Sequence, residues 1–138
     1  MEKQENNPGY KIVQIILLES NFKRIRGAKF DPKPENSISV NLAPKINQNV
    51  IDVTVELNYK QNYNGHEQAS CKILMTGVFE KQGDVKPSSD YFANVNAPSI
   101  IFPFIREHLT SLCMKGGIGM VLLPPVNFQK MFEDKSIK

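Results

Sequence analysis

The sequence predicts an α+β fold, in which a four-stranded antiparallel meander is followed by a long and then a short C-terminal helix. Two observations support this prediction. Residues 10–80 carry strand-like runs separated by turn residues, whereas residues 97–132 carry the three- and four-residue apolar spacing of helices. At 138 residues the chain has the length of a single domain with a core of its own.

Four segments have the composition or the alternation of β-strands. They are residues 10–19, 37–42, 50–59 and 69–80. The first is rich in β-branched side chains and alternates weakly, which predicts a strand covered on both faces. The others alternate more clearly, and Asn64-Gly65 before the last is a pair typical of hairpin turns. We expect a turn at residues 44–48, and a bulge or a close backbone approach at Gly77.

Capping and breaking residues delimit the two helices. Asn96 can cap the long helix, and Pro98 suits its first turn because the N–H that it lacks would have no partner there. Pro103 limits how early regular helical bonding begins. Gly116-Gly117 predicts the end of the long helix, and Asn127 can cap the short one.

The predicted domain runs from residue 10 to residue 133. Residues 1–9 are polar and read as a disordered tail, and residues 134–138 as a short C-terminal tail. Cys71 and Cys113 lie among apolar residues without a CxxC partner, so we expect buried thiols in a reducing compartment. No signal peptide and no membrane-length apolar run is visible, which predicts a cytoplasmic protein that does not insert into membranes.

Composition and motifs give no reason to expect an enzyme or a cofactor. The net charge of +3 is too small to indicate a nucleic-acid partner. His66 and His108 lack further ligands at metal spacing. The glycine-rich residues 116–119 follow a helix, whereas a phosphate-binding loop follows a strand and opens a helix. No nucleophile motif is present.

Several apolar residues of the strands, the loops and the C-terminal segment either belong to the core or serve binding. Phe30 lies in a proline-stiffened loop, where it either anchors the loop or contacts a ligand. We expect an apolar groove formed by Phe30, Ile38, Val40, Leu42, Met120, Leu122, Phe128, Met131 and Phe132. The long helix is apolar around much of its circumference and needs cover on more than one side, which predicts self-association. Its interface candidates are Ile101, Phe104, Ile105, His108, Leu109 and Leu112.

Two motifs in order carry a family resemblance. The run APSIIFPFIREHLTSL, the glycine pair and then LLPPVNFQKMF resemble the protein-export chaperone SecB. YKIVQIILLESNF resembles the first strand of that family, and CKILMTGVFEKQG its fourth. The resemblance implies a homotetramer built as a dimer of dimers. It also implies ATP-independent binding of unfolded preproteins, or other non-native polypeptides, on apolar grooves.

One charged face departs from the family pattern. The family's sheet carries acidic side chains that engage the motor ATPase SecA, and the matching positions here are Glu19, Lys23 and Lys72. Only Glu19 keeps the acidic sign, so the resemblance implies weakened docking to SecA. Some relatives instead guard the antitoxin of a toxin–antitoxin pair, so a chaperone or adaptor dedicated to one partner is the alternative to an export chaperone.

Overall fold

The computed structural model describes residues 9–137, arranged as four long strands followed by helices. The elements are β1 (Gly9–Arg24), β2 (Glu35–Asn47), β3 (Val50–Tyr63), β4 (His66–Gln82), α1 (Ser89–Tyr91), a π-helical segment (Phe92–Asn96), α2 (Ala97–Lys115) and α3 (Phe128–Ile137). The predicted N-terminal tail lies outside the described residues except for Gly9, which begins β1. The predicted domain end at residue 133 falls inside α3.

The predicted fold class is confirmed, with one difference in strand order. The sheet is antiparallel throughout in the order β1-β4-β3-β2, so only β2, β3 and β4 form a meander. β1 pairs with the edge of β4 that does not face β3, so β1 and β2 form the two opposite edges of the sheet. Residues 25–34 make this connection possible, because ten extended residues span about 33 Å and three strand spacings total about 14 Å.

The strands are longer than their sequence patterns indicated. The predicted turn at residues 44–48 is wrong, because β2 continues to Asn47 and Gln48-Asn49 make the turn, with Gln48 at φ 59°. Pro44 is tolerated within β2 because that strand lies at an edge of the sheet, where one side of its backbone needs no partner. At Gly77 the expected close approach is confirmed: a Cβ atom there would lie 2.8 Å from Cδ1 of Ile101.

The helical region starts earlier than predicted. Ser88 caps it by accepting a hydrogen bond from the N–H of Tyr91 (3.2 Å), and Asn96 has helical backbone angles with no capping bond. The expected cap at Asn96 is therefore wrong. The wider π-helical segment ends at Asn96, two residues before Pro98, which cannot donate a bond into the preceding turn.

The predicted C-terminal signals are confirmed. α2 ends at Lys115 with Gly116 as its C-cap, and Gly117 takes the left-handed conformation with φ 71°. Asn127 caps α3, since its Oδ1 accepts a hydrogen bond from the N–H of Lys130 (2.9 Å).

The core lies between one face of the sheet and α2. This helix face of β3 and β4 is almost entirely apolar, and its fully buried members include Ile51, Val53, Val55, Leu57, Ile73 and Phe79. The opposite, outer face is polar, with Thr76 donating a hydrogen bond to Asp52 (2.8 Å). The alternation seen in the sequence therefore separates a helix-covered face from an outer face that no described element covers.

Candidate functional site

Five of the predicted groove residues lie on β2 and α3, the two elements that the π-helical segment contacts. Ile38, Val40 and Leu42 lie on the helix face of β2, half-buried against the edge of the core. Met131 and Phe132 of α3 are also half-buried, and the Phe132 ring packs edge-on against Tyr91 with centroids 5.8 Å apart. We call these five residues the β2–α3 surface.

The remaining predicted groove residues lie elsewhere. Phe128 is only 4% exposed and packs against Phe102 at 5.9 Å between ring centroids, so we reassign it to the core. Met120 and Leu122 are 65% and 83% exposed and line a cavity of about 650 Å³ between α2 and residues 120–123. Phe30 is exposed on the loop between β1 and β2. The single groove expected from the sequence is thus divided among separate surfaces, because the segment after α2 returns along the helix.

The interface candidates on α2 divide between its two sides. Ile101, Ile105 and Leu109 are fully buried against the sheet within the protomer, so we reassign them to the core. Phe104 is half-exposed, Leu112 is partly buried, and Nε2 of His108 lies 2.8 Å from Oγ of Ser20 on β1. Only the outward side of α2 is therefore free for a second copy.

β1 exposes an unusual amount of apolar surface. The expectation that both of its faces are covered is wrong for the described protomer, where five of its large apolar residues are exposed: Ile12, Val13, Ile16, Leu17 and Leu18. Register shifts in the pairing with β4 fall at Val13 and Leu18. As β1 pairs only with β4, its second edge has no partner strand among the described residues.

Glu19, Lys23 and Lys72 share the outer face of the sheet. Their positions follow from the β1–β4 register, in which Glu19 lies opposite Leu74 and Lys23 opposite Ser70. Oε1 of Glu19 lies 3.8 Å from Nζ of Lys72, with both side chains about half-exposed. The lysine therefore partly neutralises Glu19, the one acidic side chain among these three positions.

Sequence reasoning missed a polar network that holds the β1–β2 loop. Gln68 is the extra residue at a register shift in the β3–β4 ladder, and its buried side-chain amide bonds both the N–H and the C=O of Lys29 (2.9 and 2.8 Å). It also donates to Oε1 of Gln61 (3.0 Å), whose Nε2 in turn donates to the Tyr59 hydroxyl (3.0 Å). The sequence signal for this network is the pair Gln61 and Gln68, which flank the β3–β4 hairpin and are both buried in the structure.

Burial raises the pKa of the buried thiols and of the buried tyrosine, so these groups stay protonated and unreactive at neutral pH. Burial raises the pKa of both Cys71 and Cys113 to about 11, and that of Tyr59 to about 12. Within residues 9–137 no three His, Cys, Asp or Glu side chains are grouped as metal ligands would be. None of the helices in that range is both long and apolar enough to cross a membrane.

The family model for preprotein translocase subunit SecB matches residues 3–138. This chain belongs to the SecB family. Among curated SecB relatives named protein-export protein SecB, that of Hydrogenovibrio crunogenus is 26% identical over 138 residues, covering 97% of this chain and 93% of the relative. The corresponding protein of Acinetobacter baylyi is 24% identical over 135 residues, covering 96% and 89%.

A solved SecB-like structure has the same fold. It is a Mycobacterium tuberculosis SecB-like chaperone in complex with a peptide from an antitoxin. The two chains superpose with a TM-score of 0.74 at 15% identity, covering 86% of this chain and 91% of the other. The likeness extends the family assignment to the three-dimensional arrangement of sheet and helices.

Proposed function

We propose that this protein is an ATP-independent holdase, which binds unfolded or non-native polypeptides on apolar surfaces and keeps them competent for export. Membership of the SecB family supports a chaperone role in protein export. The observation that carries the proposal is the apolar surface left exposed at Met120 (65%) and Leu122 (83%), which line a cavity of about 650 Å³ beside α2. Exposed apolar surface on this scale is typical of proteins that bind other chains.

The β2–α3 surface and the Met120–Leu122 cavity are the proposed client sites. A client that buries apolar side chains there gains about 25 cal/mol per Å² before its ordering costs are subtracted. Met120 and Met131 suit this role because their flexible side chains adapt to clients of different sequence. No cofactor is needed for binding of this kind.

Self-association is the second part of the proposal. The exposed residues of β1, together with Phe104 and Met114 of α2, provide an apolar area that a second copy would cover. We infer a homotetramer, built as a dimer of dimers through β1 and the outward side of α2. Light scattering on wild type and on Leu17→Glu tests this: we expect a tetramer and a smaller species, respectively, and a wild-type monomer at micromolar concentration would refute it.

The proposed site of action is the cytoplasm, where export clients are synthesised. Coupling to SecA is expected to be weak, because Lys23 and Lys72 would face a basic partner surface with like charge. A chaperone or adaptor dedicated to one antitoxin-like partner is the alternative, and a pull-down separates the two. Many non-native chains in the eluate support the holdase, whereas one stoichiometric folded partner supports the adaptor.

Aggregation of a chemically unfolded client tests the holdase directly. We expect the wild type to suppress light scattering at one tetramer per client. The double variant Met120→Glu with Leu122→Glu should lose a substantial part of this effect, because charge on an apolar surface opposes burial. Val50→Glu is the matched control, since Val50 is also exposed (45%) but lies at the β2–β3 turn. Absence of suppression by the wild type would refute the proposal.

A further inference from the structure

One end of the sheet carries the positive charge of the protein. The β1–β2 loop crosses there beside the tip of the β3–β4 hairpin, and residues 23–35 and 60–67 together hold six Lys or Arg against three Asp or Glu. This excess of three cations equals the net charge of the whole chain, +3. The carboxylates at this end are Asp31, Glu35 and Glu67.

Most of these cations are not neutralised within the protomer. Lys60 pairs with Glu67 (3.9 Å), and the Arg24 guanidinium donates to main-chain carbonyls, including that of Gly116 (2.7 Å). Among the described residues, no carboxylate lies within ion-pair distance of the other four cations, which are Lys23, Arg26, Lys29 and Lys33. Their charge is therefore available to a partner.

A cavity of about 370 Å³ lies between the loop and the hairpin tip, and Lys29 is one of its lining residues. Ile25, Tyr63 and His66 contribute to its wall, together with Lys29 and Gln68. Ile25 is 51% exposed, and Phe30 on the same loop is 46% exposed. The cavity is large enough to admit one aromatic or large aliphatic side chain, and Arg26 lies in the chain between two of its lining residues, Ile25 and Gly27.

The loop that closes this cavity is fixed in place. The Gln68 side-chain amide holds the main chain of Lys29 through two hydrogen bonds, and the Tyr63 hydroxyl donates to the carbonyl of Asp31 (2.7 Å). A site held in this way loses little conformational entropy when a ligand binds.

We propose that this end of the sheet docks a peptide segment that carries an apolar anchor side chain flanked by acidic residues. The anchor enters the cavity, and the flanking carboxylates face Arg26, Lys29 and Lys33. The inference rests on the proposed function, since it names the class of client segment that the chaperone prefers. A peptide is favoured over an anionic membrane because the apolar element is a cavity of about 370 Å³ beside a polar hairpin, and not an extended apolar face.

Three fluorescent peptides with one central phenylalanine and acidic, serine or basic flanks test the preference by anisotropy on the full-length protein. We expect the acidic peptide to bind roughly tenfold more tightly than the basic one, since exposed charge pairs contribute modestly but several act together. The difference should shrink strongly at about 0.5 M salt, where the Debye length is only a few ångströms.

Charge reversal identifies the site. Arg26→Glu with Lys29→Glu should remove or reverse the preference, and the Gln68 contacts to the Lys29 main chain do not depend on that side chain. Lys11→Glu with Lys45→Glu is the matched control, because it makes the same charge change at the other end of the sheet. The control should retain the wild-type order of affinities.

The outcomes separate this inference from the proposed function. Equal affinity for all three peptides, with aggregation suppression intact, would overturn the inference and leave the holdase standing. Failure to bind any peptide, together with failure to suppress aggregation, would overturn both. Tight binding to phosphatidylglycerol vesicles without any preference among the peptides would overturn the inference in favour of a membrane surface.

Discussion

Replacement of Gly77 by alanine measures how closely α2 lies against the sheet. The new Cβ would lie 2.8 Å from Cδ1 of Ile101 and 2.9 Å from Cε1 of Phe79, and both side chains are fully buried. Overpacking of this kind costs about 1–3 kcal/mol, while removing a glycine from a strand returns about 0.5–1 kcal/mol. We therefore expect Gly77→Ala to lower the free energy of unfolding by about 1 kcal/mol, and by no more than about 2.5 kcal/mol.

A compensating variant tests the cause of that loss. Ile101→Val removes the Cδ1 atom nearest to the new methyl group and by itself costs about 1 kcal/mol. If the clash is the cause, the double variant should be about 1 kcal/mol more stable than the sum of the single effects indicates. Urea unfolding followed by circular dichroism, at one fixed protomer concentration, gives all four values.

Gly27→Ala is the control for the general effect of removing a glycine. Nothing lies within 4 Å of a Cβ built at Gly27, so the substitution should be neutral or slightly stabilising. Strict additivity of Gly77→Ala and Ile101→Val, or stabilisation by Gly77→Ala alone, would show that the contact between α2 and β4 is looser than the structure indicates.

Three further results are expected. Arg24→Met should lower the free energy of unfolding by about 1–2 kcal/mol, because the carbonyl at the end of α2 loses a charged donor at 2.7 Å; an unchanged urea midpoint would contradict this role. Titration with SecA from the same cell should show weak binding that improves in Lys23→Glu with Lys72→Glu and at low salt, whereas tight wild-type binding that the double variant leaves unchanged would contradict the docking face. Stability should fall as the pH rises from about 9 towards 11, because the unfolded chain ionises its thiols near pKa 9.0 while burial holds the pKa of Cys71 and Cys113 at about 11. Thiol titration at pH 8 checks the same burial and should be slow until urea is added.

The sequence by itself determined the local features of the fold. Alternation identified the strand segments, since side chains two residues apart share a face. Asn127 marked a helix start through its capping side chain, and Gly117 marked a helix end through the left-handed backbone that glycine favours. Family membership was also readable, because the two motifs around the glycine pair are contiguous in the chain. Each of these signals lies within a few residues of what it predicts.

The functional surfaces depended on contacts between distant parts of the chain, and here the sequence was less informative. An apolar residue at helical spacing fits the core, a groove or an interface equally well, and only packing placed Ile101 and Phe128 in the core while leaving Leu122 exposed. The loop network based on Gln68 was equally invisible, because its partners are 39 and 7 residues away.

Strand order shows the same limit at the level of the whole fold. The sequence indicated four strands and the Asn64-Gly65 turn, but β1 pairs with β4, from Arg24↔Ala69 to Gly9↔Gln82, only in the folded sheet. That pairing places Ser20 next to His108 and Glu19 next to Lys72, which creates the candidate surfaces on both faces of β1. The sequence determined the elements, and the tertiary structure alone decided which of their faces are buried and which remain free to bind.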